Sequence, residues 1–199
     1  MTIIGLTGGI ASGKSTAAKY LANKGAHIID ADKLGHLAYE PGQPALAAIV
    51  AEFGADVLNE DGTVNRKVLG GKVFGDPNAL KRLTDIVWPA IRDLAAAEIA
   101  EVHSADPQRN IVLEAAVLLE AGWQDLVDEI WATVVDRDVA IARASARDGV
   151  EPAAVEARID AQLSNDERRA AAHRVIDNSG TEQDLEAQLQ TLWSQLENT

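Results

Sequence analysis

The amino-acid sequence predicts an α/β fold in which helices cover both faces of a parallel sheet. Two observations favour this fold class. Within the first 32 residues, an apolar run, a glycine-rich turn, a helical segment and a second apolar run follow one another, as in a β-α-β unit. Short apolar runs then recur along the chain and alternate with segments of helical spacing. The length of 199 residues suits a single domain, spanning residues 1–199, with a helical insertion at about residues 33–105.

Five strands and six helices are predicted from this alternation. The strands are short apolar runs, at Thr2–Thr7, Ala26–Ile29, Asn110–Glu114, Glu129–Val135 and Val175–Ile176. The helices are segments in which apolar residues recur at three- and four-residue spacing. They are Lys14–Lys24, Pro44–Phe53, Asn78–His103, Asp138–Arg147, Pro152–Leu163 and Gln183–Leu196. Residues 33–105 contain no convincing core strand, which is why they are predicted as a helical insertion.

Composition excludes several classes of protein. The chain has 18 Lys and Arg residues against 31 Asp and Glu residues, a formal charge of −13. Such an acidic protein is a poor candidate for binding nucleic acid or an anionic membrane through its overall field. The absence of cysteine excludes disulfides, cysteine-ligated zinc and thiol nucleophiles. The N-terminus does not read as a signal peptide, so we expect a cytoplasmic protein whose partner is a small molecule.

The glycine-rich turn between the first strand and the first helix predicts a phosphate-binding loop. Residues Gly8–Ser15 match the pattern G-x-x-x-x-G-K-[ST]. Consecutive backbone N–H groups in such a loop wrap phosphate oxygens, and the start of a helix adds its positive dipole end. Lys14 then reaches the β- and γ-phosphates, and the Ser15 hydroxyl ligates Mg²⁺. The predicted nucleotide-binding residues of this loop are Gly9, Ile10, Ala11, Ser12, Gly13, Lys14, Ser15 and Thr16.

An ordinary glycine-rich turn is the alternative, but the position of the loop after a strand and before a helix favours phosphate binding. The expected nucleotide is ATP rather than GTP. The guanine-reading motif N-K-x-D is missing, because Asn23 and Lys24 are followed by Gly25 and Ala26.

Glu114 is a candidate ligand of Mg²⁺, because it ends the apolar strand 111–113. An acidic residue at the end of a strand beside a phosphate loop usually orients Mg²⁺ or its waters. A helix cap or a surface carboxylate is the alternative interpretation.

Two aspartates at the end of the second strand form another candidate site. Ligands of open parallel sheets bind at the carboxyl ends of the strands, where Asp30 and Asp32 lie. A spacing of two residues puts both on the same side of an extended chain. Phosphoryl transfer to an alcohol needs a carboxylate that accepts the hydroxyl proton, and Asp32 is suitably placed. The alternatives are an N-cap for a helix that begins near Lys33, or a charge without a role.

Arginine is concentrated late in the chain, which predicts a lid at about residues 137–172. Seven of the eleven arginines lie between Arg137 and Arg174. Arg143 and Arg147 are four residues apart, on one face of a predicted helix. Arginine binds phosphate oxygens bidentately, and a mobile lid that carries arginine also excludes water. A solvated helix with local ion pairs is the alternative, since acidic residues are interspersed.

These segments together resemble the dephospho-CoA kinase family. Matching stretches run in family order from residue 3 to residue 180 and include GLTGGIASGKST, IIDADKLGH, FGADVLNEDGTVNRKVLG, AAVLLEAGW and VIDNSG. The loop is common to many kinases, whereas the combination of DAD, DG-x-x-x-R and LLEAG is much more specific. RKVLGGKVFG, LTDIVWPAI and AAVLLEAGWQ look most like the kinase domain of animal bifunctional CoA synthase, without its adenylyltransferase partner domain.

The resemblance implies a P-loop NTPase-type three-layer fold with a five-stranded parallel sheet, a helical substrate-binding insertion and a lid. It also implies ATP- and Mg²⁺-dependent phosphorylation of the 3′-hydroxyl of the ribose of dephospho-CoA, the last step of CoA biosynthesis. On this interpretation Asp32 is the base and Arg66 contacts the substrate. Arg143 and Arg147 act from the lid, and Asn178 lies near the adenine.

Two other functions stay open at the level of the sequence. Another P-loop kinase, for a nucleoside or nucleotide, would need a different acceptor pocket, and the DG-x-x-x-R segment that ends at Arg66 argues against it. A non-catalytic nucleotide-binding switch would have no use for a lid that carries arginine.

Overall fold

The structure is a computed structural model that describes residues 1–197. The chain forms two compact units. The first, here called the sheet unit, comprises residues 1–29 together with the chain from Glu101 onward. The second, here called the helical unit, comprises Asp30–Ala100 and overlaps the residues predicted as an insertion.

The described residues contain one parallel sheet of five strands, which confirms the predicted fold class. The strands are β1 (Ile3–Gly8), β2 (His27–Asp30), β3 (Ile111–Glu114), β4 (Glu129–Val134) and β5 (Arg174–Asp177). Their order across the sheet is β2-β3-β1-β4-β5. β1 is therefore central, and its Leu6 is paired with Glu114 of β3 and with Trp131 of β4. This register places the end of β1 and the end of β3 side by side.

Nine α-helices are assigned within residues 1–197. They are α1 (Lys14–Asn23), α2 (Ala31–Leu37), α3 (Pro44–Phe53), α4 (Arg66–Val73), α5 (Pro77–Ala105), α6 (Arg137–Asp148), α7 (Pro152–Asp160), α8 (Asn165–Ala171) and α9 (Glu182–Glu197). Proline begins α3 and α7, where its missing N–H costs no hydrogen bond. None of the helices described is long and apolar enough to cross a membrane.

The two units have separate apolar cores. The core of the sheet unit joins Ile4 and Leu6 of β1 to α1 and α9. Tryptophan contributes heavily to this unit, because Trp123, Trp131 and Trp193 are all buried there. The helical unit has its own cluster around Ile49 and Phe53, while its Trp88 lies half-buried on α5.

The structure corrects the predicted helix Pro152–Leu163. α7 ends at Asp160, and a new helix, α8, begins at Asn165 with Ser164 as its N-cap. The Ser164 hydroxyl accepts a hydrogen bond from the Glu167 N–H at 3.2 Å, and the Glu167 carboxylate accepts one from the Ser164 N–H at 2.7 Å. This is a capping box, and its S-x-x-E signature in the sequence was the signal for a second helix.

This capping box predicts a pH-dependent contribution to stability. Hydrogen bonds from the Ser164 hydroxyl and N–H hold the pKa of Glu167 below its ordinary value of 4.5. A depressed pKa in the folded state stabilises the protein above the unfolded-state pKa, and the contribution disappears as the pH falls through the folded-state pKa. The Glu167→Gln variant keeps a cap but does not titrate. We expect a higher Tm for the wild type at neutral pH, and a difference that shrinks below pH 4.5.

Thermal unfolding followed by circular dichroism across this pH range measures the difference. Glu151 is a matched control, because it is the N-cap residue of α7 but makes no capping hydrogen bond with its side chain. The Glu151→Gln variant is measured in parallel as the reference for a glutamate that makes no capping hydrogen bond. A Glu167→Gln difference that is constant or grows on acidification contradicts the assignment.

Candidate active site

The predicted phosphate loop lies between the end of β1 and the start of α1. Two of its residues have left-handed backbone conformations, Ala11 at φ 54° and Gly13 at φ 88°. Glycine adopts this conformation at little cost, whereas a non-glycine residue there is uncommon and persists only where its surroundings enforce it. The loop is therefore held in a shape that the chain does not prefer locally.

Hydrogen bonds from the sheet hold the underside of the loop. The buried Ser12 hydroxyl lies 2.8 Å from the Thr133 hydroxyl of β4. The Asn178 side-chain amide, just after β5, donates to the Ser12 carbonyl at 3.1 Å. A Cβ atom at Gly8 would overlap the side chains of Ser12 and Thr133, so only glycine fits there. Ser12 thus faces the sheet with its side chain and ties the loop to β4 and to the segment after β5.

Three predicted site residues meet at one carboxylate oxygen. The Lys14 Nζ donates to Glu114 Oε1 at 2.6 Å, and the Ser15 hydroxyl donates to the same oxygen at 2.8 Å. Glu114 is only 7% exposed, so it is neither a surface carboxylate nor a helix cap. Strand order explains the contact, because β3 lies directly beside β1. Thr16, the next predicted residue, is exposed on α1.

The oxygen atoms of Ser15 and Glu114 fit a hard divalent cation. Mg²⁺ binds to oxygen, commonly through one or two carboxylates together with substrate phosphates. Within residues 1–197 no group of three or more His, Cys, Asp or Glu side chains is arranged to hold a metal. The donor set around Ser15 is therefore of the kind that shares an ion with a phosphate ligand.

The structure corrects the geometry predicted for the two aspartates. The chain does not stay extended after β2, because α2 begins at Ala31. Asp30 is the N-cap, and its Oδ1 accepts from the N–H groups of Asp32 (3.0 Å) and Lys33 (3.2 Å). Asp32 lies in the first turn of α2 and is exposed. The capping role therefore belongs to Asp30, and the Asp32 carboxylate is not used for it.

Arg66 lies at the first position of α4 in the helical unit. Its neighbour Asn65 caps this helix by accepting a hydrogen bond from the Val68 N–H at 3.1 Å. The preceding DG turn is closed by a hydrogen bond from the Asn59 N–H to the Thr63 carbonyl. The DG-x-x-x-R segment thus forms a tight turn that leads into a capped helix, with Arg66 exposed at its start.

The two arginines predicted to act from a lid have different partners, although both lie on α6. Arg143 donates to the carbonyls of Asn178 (2.7 Å) and Gly180 (3.1 Å), in the loop after β5. Arg147 forms a two-point contact with Asp148, at 2.7 and 3.0 Å. The Asp148 hydrogen bonds raise the pKa of Arg147, and they lower that of Asp148. The structure therefore does not bring the two guanidinium groups together.

The sequence did not single out Arg168, one of the seven arginines between Arg137 and Arg174. The Arg168 side chain is 1% exposed and lies behind the phosphate loop. It donates to the Thr7 hydroxyl (3.1 Å), the Ala116 carbonyl (3.4 Å) and Glu120 Oε1 (3.0 Å). Thr7 belongs to β1, whereas Ala116 and Glu120 follow β3. The sequence offered no signal, because nothing distinguishes Arg168 from its exposed neighbour Arg169.

A cavity of about 460 Å³ lies beside the loop within the sheet unit. Its wall on one side is formed by Gly9, Ile10 and Ser12, and on the other by the segment that joins α7 to α8. The helical unit has a cavity of about 520 Å³, lined by residues of α3 and α5, which are mostly apolar.

Comparisons with known proteins converge on one family. A family model described as dephospho-CoA kinase matches residues 2–184. A dephospho-CoA kinase from Geobacter sulfurreducens is 46% identical over 194 residues, which covers 98% of this chain and 98% of that relative.

Two solved structures have a similar fold. A structure from Thermus thermophilus is 31% identical with a TM-score of 0.80, covering 98% of this chain and 97% of that one. A dephospho-CoA kinase from Campylobacter jejuni has the same fold, at 24% identity and a TM-score of 0.71, covering 98% of this chain and 96% of that one.

Proposed function

The chain belongs to the dephospho-CoA kinase family, and from this membership we propose that it phosphorylates the 3′-hydroxyl of the ribose of dephospho-CoA. The reaction of the family consumes ATP and gives CoA and ADP. The observation that carries the proposal for this chain is the meeting of Lys14 and Ser15 at the Glu114 carboxylate, beside a loop held in phosphate-binding shape. A cytoplasmic location is part of the proposal, supported by the absence of cysteine.

The backbone N–H groups of the loop and the Lys14 ammonium bind the phosphates of ATP. The Ser15 hydroxyl and the Glu114 carboxylate would hold Mg²⁺, whose charge neutralises the phosphate oxygens when the ion is bound. Lys14 and Ser15 share a buried acceptor, and this shared contact places both side chains together at the end of the loop.

Asp32 is the proposed base. This role is supported by the position of the Asp32 carboxylate, which is exposed in the first turn of α2, directly after β2. Asp30 caps the helix, so the Asp32 carboxylate is not needed for capping. The Asp32 carboxylate accepts the proton of the ribose 3′-hydroxyl. The hydroxyl oxygen then bonds to the γ-phosphorus as the bond from that phosphorus to the bridging oxygen breaks, and ADP leaves with the electron pair.

Arginine side chains complete the proposed site. Arg66 contacts the CoA-side substrate, a role supported by its exposed position at the start of the capped helix α4. Arg143 and Asn178 act on the nucleotide through the loop after β5, which they connect to α6 and to the phosphate loop. Arg147 contacts the transferred phosphate after it exchanges Asp148 for a phosphate oxygen. That exchange costs little, because exposed ion pairs contribute at most about 1 kcal/mol.

One assay tests the proposal. The protein is incubated with ATP, Mg²⁺ and dephospho-CoA, beside a panel of nucleosides and nucleotides, while ADP formation and acceptor mass are followed. We expect phosphate transfer to dephospho-CoA, and none to its analogue without the 3′-hydroxyl. Phosphorylation of another acceptor with none of dephospho-CoA refutes the proposal.

A further inference from the structure

A glutamine from the segment between α7 and α8 contacts the phosphate loop. The Ile10 N–H donates to Gln162 Oε1 at 3.1 Å, and this bond joins residues 152 positions apart in the chain. A Cβ atom added at Gly9 would lie only 3.4 Å from the same oxygen, so the carboxamide lies directly against the loop. Nothing in the sequence pattern singled out Gln162, and the function proposed above assigns it no role.

The segment that carries Gln162 is held at both ends. On one side the Gln162 N–H donates to the Ile159 carbonyl at 3.0 Å, and Asp160 is paired with Arg137 at 2.6 Å. On the other side the Asn165 side chain donates to the Val135 carbonyl at 2.8 Å, directly after β4. These contacts restrain the backbone from which the Gln162 side chain reaches the loop.

The bonded amide lies next to the strained residue of the loop. Ala11, at φ 54°, follows Ile10 directly, and such a conformation persists only where neighbouring contacts enforce it. The Ser12 N–H donates to the Gly9 carbonyl at 3.2 Å, which restrains the same turn from within. Gln162 adds a restraint from outside, on the wall of the loop that faces the cavity of about 460 Å³.

We propose that Gln162 is a positioning residue for ATP: through the Ile10 N–H it holds the phosphate loop in the shape that receives the phosphate chain. This inference rests on the proposed function in taking ATP as the nucleotide. Without the acceptor, the Ile10 N–H is unpaired and the loop must be ordered by ATP itself. A net hydrogen bond contributes about 0.5 to 1.5 kcal/mol, which corresponds to a rise of about 2- to 10-fold in the Kd for ATP.

Two substitutions separate the hydrogen bond from packing. Gln162→Met keeps a similar length and volume but removes the acceptor, whereas Gln162→Ala removes both. The Kd values for ATP and for adenosine are measured on the full chain by calorimetry or competition, along with Tm and the KM values for ATP and dephospho-CoA. Gln108→Ala is the matched control, because the exposed Gln108 precedes β3 at the amino end of the strands, whereas the phosphate loop follows the carboxyl end of β1.

We expect both Gln162 variants to raise the Kd and KM for ATP by about 2- to 10-fold. The Kd for adenosine and the KM for dephospho-CoA are expected to stay at wild-type values. In the Gln108→Ala control, all of the Kd and KM values and the Tm are expected to stay at wild-type values. Unchanged or tighter ATP binding in the Met variant overturns the proposal. A parallel loss of ATP and adenosine binding, or a loss that follows Tm alone, assigns Gln162 to folding and overturns it as well. Because the Kd values need no acceptor, a failure of the proposed reaction is detected separately, in the wild-type assay.

Discussion

The Asp32→Asn variant is expected to phosphorylate dephospho-CoA at least about 10²-fold more slowly than the wild type, while its Kd for ATP stays unchanged. Asparagine has nearly the shape of aspartate but cannot accept the hydroxyl proton. Asp32 follows the N-cap of α2 and is exposed, so the substitution leaves the helix and the apolar core intact. Steady-state rates at saturating ATP, together with the Kd for ATP, measure the two effects.

Asp30→Asn is a matched control two residues away. Asparagine is as good an N-cap as aspartate, so the hydrogen bonds to the N–H groups of Asp32 and Lys33 are preserved. We expect turnover close to that of the wild type. Lys14→Ala differs from both, because it is expected to weaken ATP binding and turnover together. Near-normal turnover of Asp32→Asn would remove Asp32 from the role of base.

The second large effect is on stability, at Glu120. The Glu120→Ala variant leaves the Arg168 guanidinium buried without its counter-charge, since this side chain is 1% exposed. Breaking a buried pair by removing one partner costs about 3 to 5 kcal/mol. The Glu120 side chain is 23% exposed, so water relieves part of the penalty and we expect about 3 kcal/mol. Urea unfolding measures the loss in the free energy of unfolding. The m value, which is the slope of this free energy against urea concentration, is compared between the variants.

A double variant tests whether the unpaired Arg168 charge causes the loss of stability in Glu120→Ala. Arg168→Met removes the charge and keeps much of the side-chain volume. Glu120→Ala combined with Arg168→Met is therefore expected to lose less stability than the sum of the two single variants. The exposed neighbour Arg169, paired with Asp177 at 3.1 Å, is the control, and Arg169→Met should cost little. Additive losses in the double variant, or a negligible effect of Glu120→Ala, refute the explanation.

Local pattern was sufficient to predict the sheet, because each strand is a short apolar run that lies between turn residues. The strand β5 is longer than its predicted range, Val175–Ile176. The polar residues on either side, Arg174 and Asp177, also pair with β4. Helix α8 was missed although its capping signature, Ser164 and Glu167, is local. The predicted helix Pro152–Leu163 runs three residues beyond the end of α7 and stops before Ser164, because apolar spacing alone does not mark the turn between α7 and α8.

In the candidate site, too, local features could be predicted from the sequence, whereas contacts between distant parts of the chain could not. The phosphate loop is a local motif, and its residues could be assigned from spacing alone. The contact of Lys14 with Glu114 depends on β3 lying beside β1, a strand order that the sequence does not specify. The contacts of Gln162 and Arg168 likewise join parts of the chain more than 150 residues apart, at separations of 152 and 161. No local pattern marks such pairs.

The distribution of tryptophan gives the protein a built-in optical reporter. Trp88 is the one tryptophan between residues 30 and 100, and the other three are buried in the sheet unit. Replacing Trp123, Trp131 and Trp193 with phenylalanine leaves a single tryptophan, on α5, which can be excited selectively at the long-wavelength edge of its absorption. Its emission then reports on the helical unit alone, so that the response of this unit to dephospho-CoA can be followed in real time without a label.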